Sequence, residues 1–255
     1  MRPLSGTALL MGVVAVYSPK GGVGKTTLAF DLAWRSATIG HHKTLLWDLD
    51  PEGGSAFLCQ IDPTHLIDDP YLLQKPYEVR QAINLTHYDN LFFLGFGENV
   101  RAISFYLSRI GPKKRIEELV RNLSGTFDRI VLDCPPVRDE LSEQVIRAAD
   151  LMITPLPASP LALRALDKVK KEQKRIGRAS MPLLPVFSMF DTRRKSHQLA
   201  RETILSGFPV IPWSNDIERI AFKQTPINAF AHGSKGADAL DKLWRGVEKK
   251  FAEIG

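Results

Sequence analysis

Cysteine is nearly missing from this chain of 255 residues, which holds only Cys59 and Cys134. Two cysteines are too few for a disulfide framework and these show no metal-ligand spacing, so a small stapled fold is excluded. A reducing, cytosolic compartment is expected. Long apolar runs are also lacking, and none approaches the roughly 18 residues of a membrane-spanning helix. No repeat, low-complexity segment or Pro/Ser-rich linker divides the sequence, so a single domain over residues 1–255 is expected. What is present is an ordinary globular composition, 44% apolar and 24% charged, with length enough for a real core. The net charge of +6 is a mild basic bias that permits an acidic partner without demanding one.

Apolar, β-rich runs alternate with helical patterns. Strands are expected over 12–17 (GVVAVY), 44–47 (TLLW), 91–96 (LFFLGF), 129–133 (RIVLD), 151–156 (LMITPL), 183–189 (LLPVFSM) and 210–212 (VIP). Near-continuous apolar runs suit parallel strands buried on both faces. Helices are expected over 26–36, 113–122, 139–148, 161–175 and 237–253. The fold class that follows is α/β: a doubly wound, mostly parallel sheet flanked by helices, with ligands at the carboxyl ends of its strands. Arg2 and the apolar stretch 8–17 resemble a leader peptide superficially. The stretch runs directly into a glycine-rich loop, however, and is read as the strand that loop needs.

That loop is YSPKGGVGKTT, residues 17–27. In strand–loop–helix context, Gly21, Gly22 and Gly24 let backbone N–H groups turn toward phosphate oxygens. Lys25 supplies charge to β- and γ-phosphates, the Thr26 hydroxyl is placed to ligate Mg²⁺, and the helix opening there adds its positive end. The common pattern G-x-x-x-x-G-K-[ST] fails, because Pro19 stands at its first glycine. The sequence matches K-G-G-x-G-K-T instead, with a second lysine, Lys20.

In this the loop resembles the deviant Walker A motif of the ParA/MinD family of P-loop ATPases. The resemblance implies ATP and Mg²⁺ as cofactors, bound by residues 20–27 (Lys20, Gly21, Gly22, Val23, Gly24, Lys25, Thr26 and Thr27). It also implies a sandwich homodimer in which Lys25 serves its own ATP and Lys20 reaches the partner's. LLWDLDPEGG is similar to the family's second acidic motif, giving Asp50 the role of positioning the attacking water. Asp48 and Asp50 share a face of an extended segment, which suits Asp48 for the Mg²⁺ hydration shell. FDRIVLDCPP has the Walker B pattern, with Asp133 holding Mg²⁺ through water and Pro135 and Pro136 in the switch that follows. The resemblance continues through VFSMFDTR and VIP, where the family holds adenine, and the Pro212 backbone is a candidate contact. Nitrogenase iron proteins share the fold and bridge a cluster with cysteines; buried inert thiols are expected here instead.

Three branches of that family compete. A ParA-type protein binds nonspecific DNA as an ATP dimer, a MinD-type relative binds membrane through a C-terminal amphipathic helix, and a third class is metabolic or metal-related. The C-terminal ALDKLWRGVEKKFAEIG has an apolar stripe at helical spacing, expected to pack on the sheet rather than lie on a membrane. Residues 164–178 hold seven basic against two acidic residues, and Arg193, Arg194 and Lys195 form a second cluster. Phosphate contacts need only cations on one face. Lys170, Lys171, Arg193, Arg194 and Arg219 are therefore the DNA-binding candidates. In IPWSNDIER, Asp216 stands near the place where chromosomal ParA relatives carry a DNA-contacting arginine. The expected function is an ATPase, slow and stimulated by a cargo adaptor (ParB-like or equivalent), that dimerises on ATP and binds nonspecific nucleoid DNA. In the cytoplasm, on the nucleoid, it would position a plasmid, chromosome or protein assembly.

Overall fold

The computed structural model describes residues 11–97, 106–107, 109, 114–136, 139–203 and 206–254. Its centre is one sheet of eight strands. These are β1 (Gly12–Val16), β2 (Thr44–Asp48), β3 (Asn84–Leu85), β4 (Leu91–Leu94), β5 (Arg129–Asp133), β6 (Leu151–Pro157), β7 (Leu183–Phe190) and β8 (Val210–Pro212). Their spatial order is β3-β4-β2-β5-β1-β6-β7-β8, and every pairing is parallel except the short β3–β4 ladder at one edge. Each residue of β1, β2 and β5 is buried, which explains why these strands read as unbroken apolar runs rather than alternating ones. Register places Val16 and Asp48 beside Asp133, so the end of β1 and both acidic strand termini meet at one edge.

Helices cover both faces. On one side lie α1 (Lys25–Thr38), α2 (Gly54–Leu58), α8 (Asn215–Lys223) and α9 (Lys235–Ile254), whose apolar residues join β1 and β2 in a single cluster. On the other lie α3 (Pro76–Gln81), α4 (Arg115–Leu123), α5 (Glu140–Ala148), α6 (Leu161–Arg175) and α7 (Lys195–Thr203). Arg35 is 1% exposed and ties α1 to α9: it donates to Asp31 at 2.6 Å, to Asn228 at 2.9 Å and to the Ala237 carbonyl at 3.4 Å. A buried guanidinium is tolerable only with such partners, and removing one costs about 3–5 kcal/mol.

The expected strands are present within a residue or two. So are the helices, although the expected start of α4 at Lys113 lies outside the described residues. β3, α2, α3, α7 and α8 were not anticipated. α7 buries only Ala200, so it lacks the apolar stripe that reveals a helix in sequence, and α8 sets Ile217 and Ile220 on the core but is only nine residues long. The C-terminal stripe packs on the sheet: Leu240, Leu243 and Val247 are buried, and Trp244 and Phe251 lie against the same core. Arg129 fixes this helix from β5, donating to both Glu248 oxygens at 3.0 Å and stacking 3.8 Å from the Phe251 ring centroid. Among the described residues, no helix is long and apolar enough to cross a membrane.

Candidate nucleotide-binding site

The loop between β1 and α1 is shaped by backbone freedom. Gly24 takes φ 81°, in the left-handed region that glycine enters without a Cβ penalty, and α1 begins at the next residue. From β7, the Ser188 hydroxyl donates to the Val23 carbonyl at 2.7 Å, anchoring the loop to the sheet. The two lysines part company here. Lys25 is 7% exposed, and its ammonium folds back to the Lys20 carbonyl at 3.3 Å. Burial lowers the Lys25 pKa, while the charges of Asp133 and Asp50 work against that shift. The Lys20 side chain is exposed and has no carboxylate partner among the described residues.

Three carboxylates converge beside the loop, with different surroundings. Asp133, at the end of β5, is 1% exposed; its Oδ2 accepts the Ser55 hydroxyl at 2.8 Å. Its Oδ1 is buried without a hydrogen bond of good geometry. Burial raises the Asp133 pKa to about 6, opposed by the nearby Ser55 and Thr26 hydroxyls and by Lys25, and assisted by the charge of Asp50. Asp48 accepts three backbone N–H groups: Asp50 at 3.0 Å, Ser55 at 2.9 Å and Ala56 at 3.3 Å. Even so, burial and then the charge of Asp133 hold its pKa well above the usual carboxylate range. Its oxygens thus brace the 49–54 turn and the start of α2. Asp50 is half-exposed on that turn, accepting the Glu52 N–H at 3.2 Å.

The turn comes so close to the loop that a Cβ on Gly54 would sit 3.0 Å from the Thr26 methyl. Ser55, Gly54 and Ser188 were missed as site residues. A signal existed for the first two, since GGS follows the acidic motif directly; nothing in the sequence flags Ser188. Cys134 and Cys59 are buried, and burial pushes both thiols up, which leaves them protonated.

A family model described as an AAA domain matches residues 11–184. The chain is a member of that family, as a ParA-like ATPase. It is 27% identical to a virulence plasmid ParA family protein of Chlamydia psittaci, covering 94% of this chain and 96% of that one. It is 26% identical to the chromosome-partitioning ATPase Soj of Treponema pallidum, over 93% of this chain and 97% of the relative. The septum site-determining protein MinD of Pyrococcus horikoshii, solved as a Mg-ADP complex, superposes with a TM-score of 0.73 over 96% of this chain and 99% of that one, at 20% identity. That likeness establishes the fold.

In the ParA-like ATPase the donor set fits a magnesium nucleotide. Lys25 provides a buried cation, the Thr26 hydroxyl stands beside Asp133, and the orphaned Asp133 Oδ1 needs a proton-bearing partner such as metal-bound water. From the loop, an apolar groove of about 320 Å³ runs past Gly24 and Thr27 to Pro212 and Phe222. A wider cleft of about 640 Å³ opens on the Lys20 side, between the loop and residues 191–197.

The five DNA candidates differ in their partners. Arg193 lies in that cleft, held by two bonds to Asp191 at 2.9 and 3.0 Å, and Arg194 sits 3.7 Å from the same carboxylate. Arg219 pairs with Asp216 at 3.3 Å and stacks on Phe230. Lys170 and Lys171 stand exposed on α6 with no ion pair among the described residues.

Proposed function

We propose that the ParA-like ATPase closes into a homodimer on MgATP, holds DNA without regard to sequence in that state, and releases it when a cargo-bound partner stimulates hydrolysis. The observation that carries this reading is the opposite disposition of the two lysines. Lys25 is buried at the phosphate loop, so it neutralises the triphosphate of its own chain. Lys20, on the same loop, is exposed, where a second copy can meet it. A cation supplied across the interface makes dimerisation depend on the charge of the bound nucleotide.

Within the site, the chain's groups divide the work. The loop amides and Lys25 bind the phosphates, Thr26 and Asp133 would hold the magnesium, which would neutralise phosphate charge, and Asp50 orients the attacking water. Asp48 contributes by bracing the turn that carries Asp50, since its oxygens already accept three N–H groups. The Pro212 backbone borders the apolar groove that suits the base. For DNA, Lys170 and Lys171 on α6 offer cations free of competing carboxylates, whereas Arg193, Arg194 and Arg219 are already engaged. The packed C-terminal helix argues against a membrane role.

Retention on duplex DNA tests the reading. The protein with MgATP should be retained and the ADP form should not, with log K falling by about 0.9 per phosphate contact per decade of salt. Charge reversal at Lys170 and Lys171 should reduce that slope and leave ATP turnover without DNA intact. Retention that is indifferent to nucleotide, or binding to anionic liposomes in place of DNA, would overturn it.

A further inference from the structure

The groove and the cleft on either side of the phosphate loop meet at one indole. Ser188, Met189 and Trp213 line both. Trp213 follows β8 directly, and its N–H donates to the Phe190 carbonyl at 2.9 Å, so the backbone that carries the ring is fixed to the sheet. The ring itself is left 48% exposed. On its cleft side stands Arg193, with the guanidinium carbon 5.6 Å from the ring centroid. The bonds to Asp191 hold that guanidinium in place. Met189 completes the ridge between the two depressions. It is a non-glycine residue at φ 54° that leaves its side chain 46% exposed, an uncommon conformation that functional sites retain.

We propose that Trp213 is the stacking platform for the nucleotide base, with the purine on the groove side of the indole and Arg193 on the other. This rests on the reading of the loop as a nucleotide site. Gly24 and Thr27 belong both to that loop and to the groove wall, so a nucleotide whose phosphates lie on the loop has the groove as its continuation. The groove is lined by Ile211, Pro212, Ile217 and Phe222, a wall that suits a flat aromatic ring and offers no cation for phosphate. An indole with a cation already on one face keeps the other for a π-stacked partner. Arg193, a DNA candidate by sequence, thereby becomes a support of the nucleotide site.

The test compares a ligand that has the base with one that lacks it. In Trp213→Ala, ADP should bind about 5- to 150-fold more weakly, the span of base–aromatic stacking. Tripolyphosphate should bind as it does to the wild type. Trp213→Phe should recover most of the ADP affinity, which a change in folding would not produce. The spectroscopic counterpart is tryptophan fluorescence: ADP should quench the wild type and leave Trp213→Phe unchanged, although Trp34, Trp47 and Trp244 persist. Equal ADP affinity in Trp213→Ala and wild type overturns the stack, as does an equal loss for both ligands. Failure of the wild type to bind ADP at all is a separate outcome, which overturns the nucleotide reading and the stack with it.

Discussion

Asp133→Asn should make the ligand-free protein more stable while removing its response to MgATP. The native state buries this carboxyl fully and raises its pKa from an unfolded value of 3.8 to about 6. The native state therefore binds more protons than the unfolded one between those pH values, and stability falls as pH rises through that window. Below pH 3.8 the group contributes no deficit, and above about 6 the deficit is complete. Two pKa units correspond to about 3 kcal/mol at 1.36 kcal/mol per unit. Asn fills the same space without the charge, and it also relieves Asp48, whose pKa is held up partly by Asp133. At pH 7.5 the variant should gain about 2–3 kcal/mol, on the order of 5–10 °C in Tm for a chain of this size. At pH 5 the gain should be roughly half as large. Chemical denaturation at both pH values, without nucleotide, measures it, and a parallel melt with MgATP should show the wild type gaining stability and Asp133→Asn gaining little. A variant no more stable than wild type at pH 7.5 would refute the idea that Asp133 is an unfavourable buried charge in the ligand-free protein.

Three further outcomes follow from the same geometry. Asp50→Ala should bind ATP normally and hydrolyse it at least about 100-fold more slowly, because only the orientation of water is lost; a phosphate-release assay beside equilibrium ATP binding checks it. Lys25→Met should weaken ATP by about 10- to 100-fold while leaving ligand-free stability within about 1 kcal/mol, since the buried ammonium is itself desolvated; calorimetric titration and urea unfolding read the two effects. Arg129→Ala should cost about 3 kcal/mol by removing the tie from β5 to Glu248 and Phe251 of the C-terminal helix. A helix designed to detach onto membrane would tolerate that change, and urea unfolding distinguishes the cases.

The parts of the site that were legible in the sequence are those whose chemistry is local. Three glycines and a lysine between a strand and a helix mark a candidate phosphate loop, and a buried strand ending in aspartate marks Asp133 as its candidate acidic partner. The alternation of apolar runs gave the parallel sheet for the same reason: each run is one element buried on both faces. What escaped depends on contacts across the chain. Asp48 reads as a metal-side carboxylate, and nothing beside it signals that its Oδ2 also accepts N–H groups at the start of α2, seven and eight residues away. Arg193 reads as a free cation, yet Asp191 two residues before it holds the guanidinium and β8 brings Trp213 to it. Helix α7 gives little periodic signal because it buries only Ala200, and α8, with Ile217 and Ile220 on the core, is only nine residues long.

The central claim is that Lys20 serves the other protomer. Light scattering on the slowly hydrolysing Asp50→Ala protein, with and without Lys20→Ala, tests it most directly. With MgATP the Asp50→Ala protein should show twice the monomer mass, and with ADP the monomer mass. Adding Lys20→Ala should leave ATP bound and return the mass to that of the monomer, because the Lys20 side chain is exposed and only its backbone carbonyl, which Ala retains, meets Lys25. A double variant that dimerises on MgATP as fully as Asp50→Ala alone would contradict the account.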